Sequence, residues 1–137
     1  MKTEIQNKKN FILEHSSKFN FEETLKAIIR EAEKRDWNIP AIHDLKESLA
    51  KSGKKVKPVK VIEICKPEYS GQMLELNHER IISVMMPCRI SVYEKDDGKI
   101  YVALLDSGAM ASGLPENIAK VMKKASDETI EMVKVVA

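Results

Sequence analysis

The sequence predicts an α+β domain whose sheet is largely antiparallel, on three observations. VKVIEIC (59–65) alternates with period two and is rich in β-branched residues, so Val61, Glu63 and Cys65 share one face of a strand while Ile62 and Ile64 share the other. RISVYEKDDGKIYVALLD (89–106) is two alternating runs around Asp97-Gly98, a pair that tolerates the positive φ of a tight turn. That is a hairpin, and it makes at least part of the sheet antiparallel. NFEETLKAIIREAEKRDW (20–37) puts Phe21, Leu25, Ile28, Ile29 and Ala32 on one helical face, with Asn20 as N-cap and Glu23 completing a capping box.

The other elements follow in chain order. Residues 1–10 are polar and lysine-rich and are expected to be a flexible N-terminal segment, at least the first five or so being poorly ordered. Residues 11–137 have the size of one domain with its own core. FILEHSSKF (11–19) reads as the first strand. WNIPAI (37–42) is a short extended segment whose Pro40 cannot donate a ladder hydrogen bond, which suits an edge or a bulge. HDLKESLAKSG (43–53) is a compact helix: Asp44 caps it, Glu47 completes the box and Gly53 supplies the left-handed C-terminal residue. Pro67 fits the first turn of PEYSGQMLELN (67–77), a helix with Tyr69, Met73, Leu74 and Leu76 as apolar positions and Gly71 weakening it. RIISVMMP (80–87) is expected to extend the first hairpin strand, with Pro87 at a bulge. A small-residue loop, DSGAMASG (106–113), leads to Pro115 and a last helix bearing Ile118, Val121, Met122, Ala125 and Met132. ASDET (125–129) either continues that helix or restarts it with Ser126 or Asp127 as cap. The sum is about five strands, two long helices covering one face, and short helices in the connections. The other face is available to a second copy of the chain.

Composition excludes more than it selects. The formal net charge is +2 with both signs interspersed, so no strong field favours nucleic acid or a membrane. KSGKKVKPVK (51–60) carries five lysines, but it has no arginine and no aromatic residue to stack on a base, and reads as a solvated loop and strand edge. No apolar run approaches the length of a membrane span, and MKTEIQNKKN lacks the apolar segment of a signal peptide, so the expected location is cytoplasmic. A reducing compartment would keep the chain's two cysteines as thiols.

At NIPAIHDLKESLAKSG, VIEICKPEYSGQML and MMPCRISVYEKDDGKIYVALL the chain resembles the domain-of-unknown-function 302 family, over essentially everything after the first ten residues. The matching places are Ile42, His43 and Asp44, then Cys65, Lys66 and Pro67, then Met86, Pro87, Cys88 and Arg89. The resemblance implies a curved, mostly antiparallel sheet with two long helices on one side, similar to the TATA-box-binding-protein-like architecture, and a homodimer. It implies no activity. A large branch of the family has Gly-Asn-Pro where Cys65, Lys66 and Pro67 stand, so the fold does not require the cysteines and any site they form belongs to a branch.

Chemistry is therefore sought where the cysteines fall. Cys65 ends one strand and Cys88 starts the next, so if those strands are antiparallel neighbours the sulfurs lie at one end of the sheet. His43 joins them only if WNIPAI runs parallel to VKVIEIC or a loop folds back. Together Cys65, Cys88 and His43 would form a metal site suited to zinc, copper(I) or iron, with Met85 or Met86 adding a thioether for copper and Asp44 orienting the imidazole. No cofactor is named by the sequence. The main alternative is a redox or sulfur-transfer enzyme using Cys65 or Cys88 as a thiolate, activated by Lys66 or Arg89, although Arg89 should point to the opposite face from Cys88. A third reading is an interaction domain whose cysteines are core. Glu63, mid-strand on the face of Cys65, is a candidate acid or base. GAMASGLP lacks the lysine of a phosphate loop, and His15 and His78 stand apart, His78 on an expected exposed turn.

Overall fold

The structure, a computed structural model, describes residues 6–8, 11–75 and 77–137, with 6–8 and 77–79 described as backbone only. Six strands form one open sheet: β1 (Gln6–Lys8), β2 (Ile12–Ser16), β3 (Asn38–Asp44), β4 (Val59–Cys65), β5 (Cys88–Glu94) and β6 (Ile100–Leu105), in the spatial order β1-β2-β6-β5-β4-β3. Every neighbouring pair is antiparallel. Three residues of the N-terminal segment thus pair with β2, while the expectation for the first five lies outside the described residues.

The register explains the core. Leu13, Leu104, Ile90 and Ile62 are successive cross-strand partners, and the alternation of each strand carries Val92, Val102 and Ile64 to the same face. Two long helices, α1 (Phe21–Lys34) and α5 (Glu116–Val133), cover that face with Leu25, Ile28 and Ala32 from one and Ala125, Met132 and Val133 from the other. Each fully covered Ile or Val contributes roughly 1.5–3 kcal/mol of transfer free energy. Asn20 caps α1 by accepting from the Glu23 amide at 2.8 Å, and the buried Thr24 hydroxyl is satisfied by the Asn20 carbonyl at 2.7 Å and by Ser17 at 2.6 Å.

β3 is one of the two outer strands of the described sheet. Its ladder shifts register between Asn38 and Ala41, the place where Pro40 has no N–H to offer. Short helices fill the connections: α2 (Leu45–Ala50), α3 (Pro67–Leu74) and α4 (Ser107–Met110). The expected loop 106–113 is therefore partly helical, because Asp106 accepts from the Ala109 amide at 3.1 Å and from the Ser126 hydroxyl at 3.2 Å. A Cβ at Gly108 would stand 3.3 Å from the Lys123 backbone, so glycine there lets α4 lie against α5. Through ASDET, α5 continues without a restart.

Residues 80–87 correct one expectation. They do not prolong β5: Asn77–Met85 is a 3-10 segment, and a cis Met86–Pro87 bond precedes the strand. The reason is the lack of a partner. The β4 ladder with β5 ends at the pair Ile64–Cys88, and Pro87 has no N–H with which to extend it. The segment's apolar residues find another use, Ile82 packing with Met73, Ala111, Ile118 and Met122 in a second, smaller core. The apolar position expected at Leu76, and the side chain of His78, lie outside the described residues.

Candidate functional site

Strand alternation assigns the two cysteines to opposite faces. Cys88 continues the covered row of Ile90 and Val92, whereas Cys65 continues the open row of Val61 and Glu63. They nevertheless line one cavity, because β4 stops at Cys65 and Pro67 turns the chain into α3, which folds back over the sheet's end. Trp37, Tyr69, Met73 and Met86 complete an almost wholly apolar wall around about 40 Å³ of space. Both thiols are free. The Cys65 sulfur lies 3.5 Å from the Ser70 hydroxyl, while burial first, and the proximity of Cys65 second, push the Cys88 thiol up to about 11. Beyond Met86, Pro87 and Cys88 lies a second cleft of about 140 Å³, bordered by Met85, Arg89, Ser107 and Thr129.

A polar bracket holds the cavity's aromatic wall. The Glu128 carboxylate on α5 accepts from Trp37 Nε1 at 2.8 Å, Lys66 Nζ at 3.0 Å and Tyr69 OH at 2.6 Å, and Trp37 and Tyr69 meet edge to face with centroids 6.0 Å apart. Burial alone would raise the Glu128 pKa, but the bonds from Tyr69, Trp37 and Lys66 outweigh it and lower the carboxyl below its ordinary value. The same bond from its other end pushes Tyr69 up to about 12. Lys66 Nζ also donates to the Arg35 carbonyl at 3.0 Å, so its ammonium is tied to α1 and α5 and is not free to sit on Cys65.

His43 does not join the cysteines. β3 runs antiparallel to β4 and pairs His43 with Val61, about 13 Å along the strand from Cys65 at ~3.3 Å per residue. Its Nε2 donates to the Glu63 carboxylate at 2.6 Å on the open face, where Arg89 Nη2 stands 4.0 Å from the same oxygen. Asp44 does not orient the imidazole; it caps α2 by accepting from the Glu47 amide at 2.9 Å. The three-residue site of Cys65, Cys88 and His43 is thus divided between an apolar cavity and a polar face. Among the described residues no group of three or more His, Cys, Asp and Glu side chains is placed to hold a metal. Glu63 is committed to His43 and Arg89 as an ion-pair partner.

Trp37, Tyr69, Ser70, Met73 and Glu128 escape a reading of the sequence as site residues, and two of them show why. Met73 is only one of several apolar positions on a short helix, and Glu128 is one of many acids on the outer turns of an amphipathic one. Nothing in their local spacing distinguishes them; the crossing of α3 and α5 over the sheet's end does.

No described helix is long and apolar enough to cross a membrane. No curated protein matches the chain. Among solved structures, the crystal structure of an uncharacterised conserved protein, DUF302, from Bacillus stearothermophilus superposes with a TM-score of 0.83 over 93% of this chain and 98% of that one, at 13% identity, which is evidence of a shared fold alone. The sequence itself matches the family model "Domain of unknown function DUF302" over residues 13–136, nearly its whole length, and the chain belongs to that family.

Proposed function

We infer that the chain is a binding module for a small soft ligand, foremost a soft metal ion, received in the cavity between Cys65 and Cys88. The observation that carries this reading is the shared cavity: two free thiols from adjacent strand ends border one small, apolar space with two methionines. Sulfur donors in apolar surroundings suit soft ions. His43, placed in the metal set by sequence, has no part in it.

The thiolate enzyme has less support. A thiol pushed up to about 11 is protonated at neutral pH, Lys66 is engaged by Glu128, and Arg89 faces Glu63 on the other side of the sheet. The reading includes a cytoplasmic homodimer, since a reducing compartment keeps both thiols free and both long helices lie on the sheet's other face. Sedimentation equilibrium across the micromolar range tests the dimer, a monomer throughout removing it.

The binding reading is tested by elemental analysis and native mass spectrometry of protein prepared anaerobically with reductant and offered copper(I), zinc and mercury(II) in turn. Stoichiometric uptake of at least one, abolished in Cys65→Ser and Cys88→Ser variants that remain folded, supports it. Failure of the wild-type chain to retain any of the three overturns it.

A further inference from the structure

Building on that reading, we propose that the cavity selects a monovalent soft ion of the copper(I) class, held by the sulfurs of Cys65 and Cys88 with the thioether of Met86 as a further ligand. Four sulfur-bearing side chains from separate elements border the cavity: Cys65 from the end of β4, Met73 from α3, Met86 from the connection and Cys88 from the start of β5. Thiolate with thioether is a donor set that favours copper(I).

The surroundings argue against zinc. Zinc takes four ligands drawn from thiolate, imidazole and carboxylate, and the imidazole and carboxylates of His43, Glu63 and Glu128 are engaged with one another or elsewhere. Glu128, on the far side of the aromatic wall, already accepts from Trp37, Lys66 and Tyr69. His43 is bonded to Glu63 on the opposite face.

Each S–H that becomes a thiolate ligand releases one proton to solvent, copper enters and stays as copper(I), and no oxidant or reductant is consumed.

The test is an anaerobic titration in which the full chain competes with bicinchoninate for copper(I), run beside a zinc titration against a chromophoric chelator, with X-ray absorption on the copper-loaded wild type. The expected result is one copper(I) per chain, a preference over zinc of at least about a hundredfold, and a sulfur-only first shell. Met86→Leu, close in volume, should weaken copper(I) by at least the tenfold that even an outer partner of a metal ligand is worth, while Met85→Leu, in the neighbouring cleft, should not. Zinc held as tightly as copper(I), with nitrogen or oxygen in the shell or with Met86→Leu unchanged, overturns the copper(I) assignment and leaves the soft-ion cavity standing. No binding of either metal removes both. The absorption measurement needs no variant, so a misfolded variant does not shield the proposal.

Discussion

Across the pair Ile90–Ile62 the sheet meets its helices; one residue along, across Arg89–Glu63, it meets His43 and solvent. On the covered side the side chains are fully buried aliphatics. On the open side polar groups are partnered among themselves: Tyr93 donates to Glu14, Lys95 lies 3.0 Å from that carboxylate and 4.1 Å above the Tyr101 ring, and Tyr101 stacks on Tyr93. Among the described residues no buried side-chain nitrogen or oxygen lacks a partner. The difference shows where binding capacity is left over. Both faces consume their own chemistry, one in packing and the other in hydrogen bonds, and the soft donors remain at the end of the sheet where the two rows converge on one cavity.

The largest effect that sharpens this contrast is on stability. Ile90→Ala should cost about 2–5 kcal/mol, and Ser91→Ala, its neighbour on the open face, less than about 0.5 kcal/mol, both read from urea denaturation midpoints. Comparable losses at the two positions would mean that the open face is also a packed interface within the chain.

Next comes the Glu128 bracket. Glu128→Ala leaves the Trp37, Tyr69 and Lys66 donors without their acceptor and should cost about 3 kcal/mol at neutral pH. A carboxyl whose folded pKa is lowered contributes stability that is present above its unfolded value, near 4.5, and is lost as pH falls through the folded value. The gap between wild type and variant should therefore shrink below about pH 4.5. A gap that stays constant from pH 7 to pH 3 would show that the loss is packing alone.

A smaller effect separates the thiols. Cys65 should be alkylated at least about tenfold faster than Cys88 in the native chain, since Cys88 is the thiol raised by burial, and the Cys88 rate should keep climbing with pH towards about 11. Peptide mass spectrometry after timed quenching reads both rates. Equal rates would put Cys88 outside the cavity. Smallest of all is His43→Gln, expected to change stability by less than about 1 kcal/mol and metal retention not at all. Loss of metal in that variant would reinstate the histidine as a ligand.

Most of the fold was legible because its signals are local. The Asn20 and Asp44 caps, the Asp97-Gly98 turn with Gly98 at φ +78°, and the edge-strand proline at position 40 each act within a few residues of themselves. Residues 80–87 misled because β-branched, apolar runs serve strands and buried turns alike, and only the length of the β4 ladder decides between them. The site was half legible for the same reason. That Cys65 and Cys88 fall at one end of the sheet follows from strand boundaries, but the exclusion of His43 depends on the direction of β3, and the recruitment of Met73 depends on how α3 folds back. Neither has a local signal.

Whether Cys65 and Cys88 share one cavity is tested most directly by one equivalent of mercury(II) under anaerobic reducing-agent-free conditions, because strand alternation aims the two Cβ atoms at opposite faces and leaves a bound ion, not a disulfide, as the bridge that the cavity offers. The predicted product carries one mercury per chain, with no link between chains and with both Cys65 and Cys88 withdrawn from alkylation. One equivalent that protects a single cysteine, or that joins two chains, would contradict it.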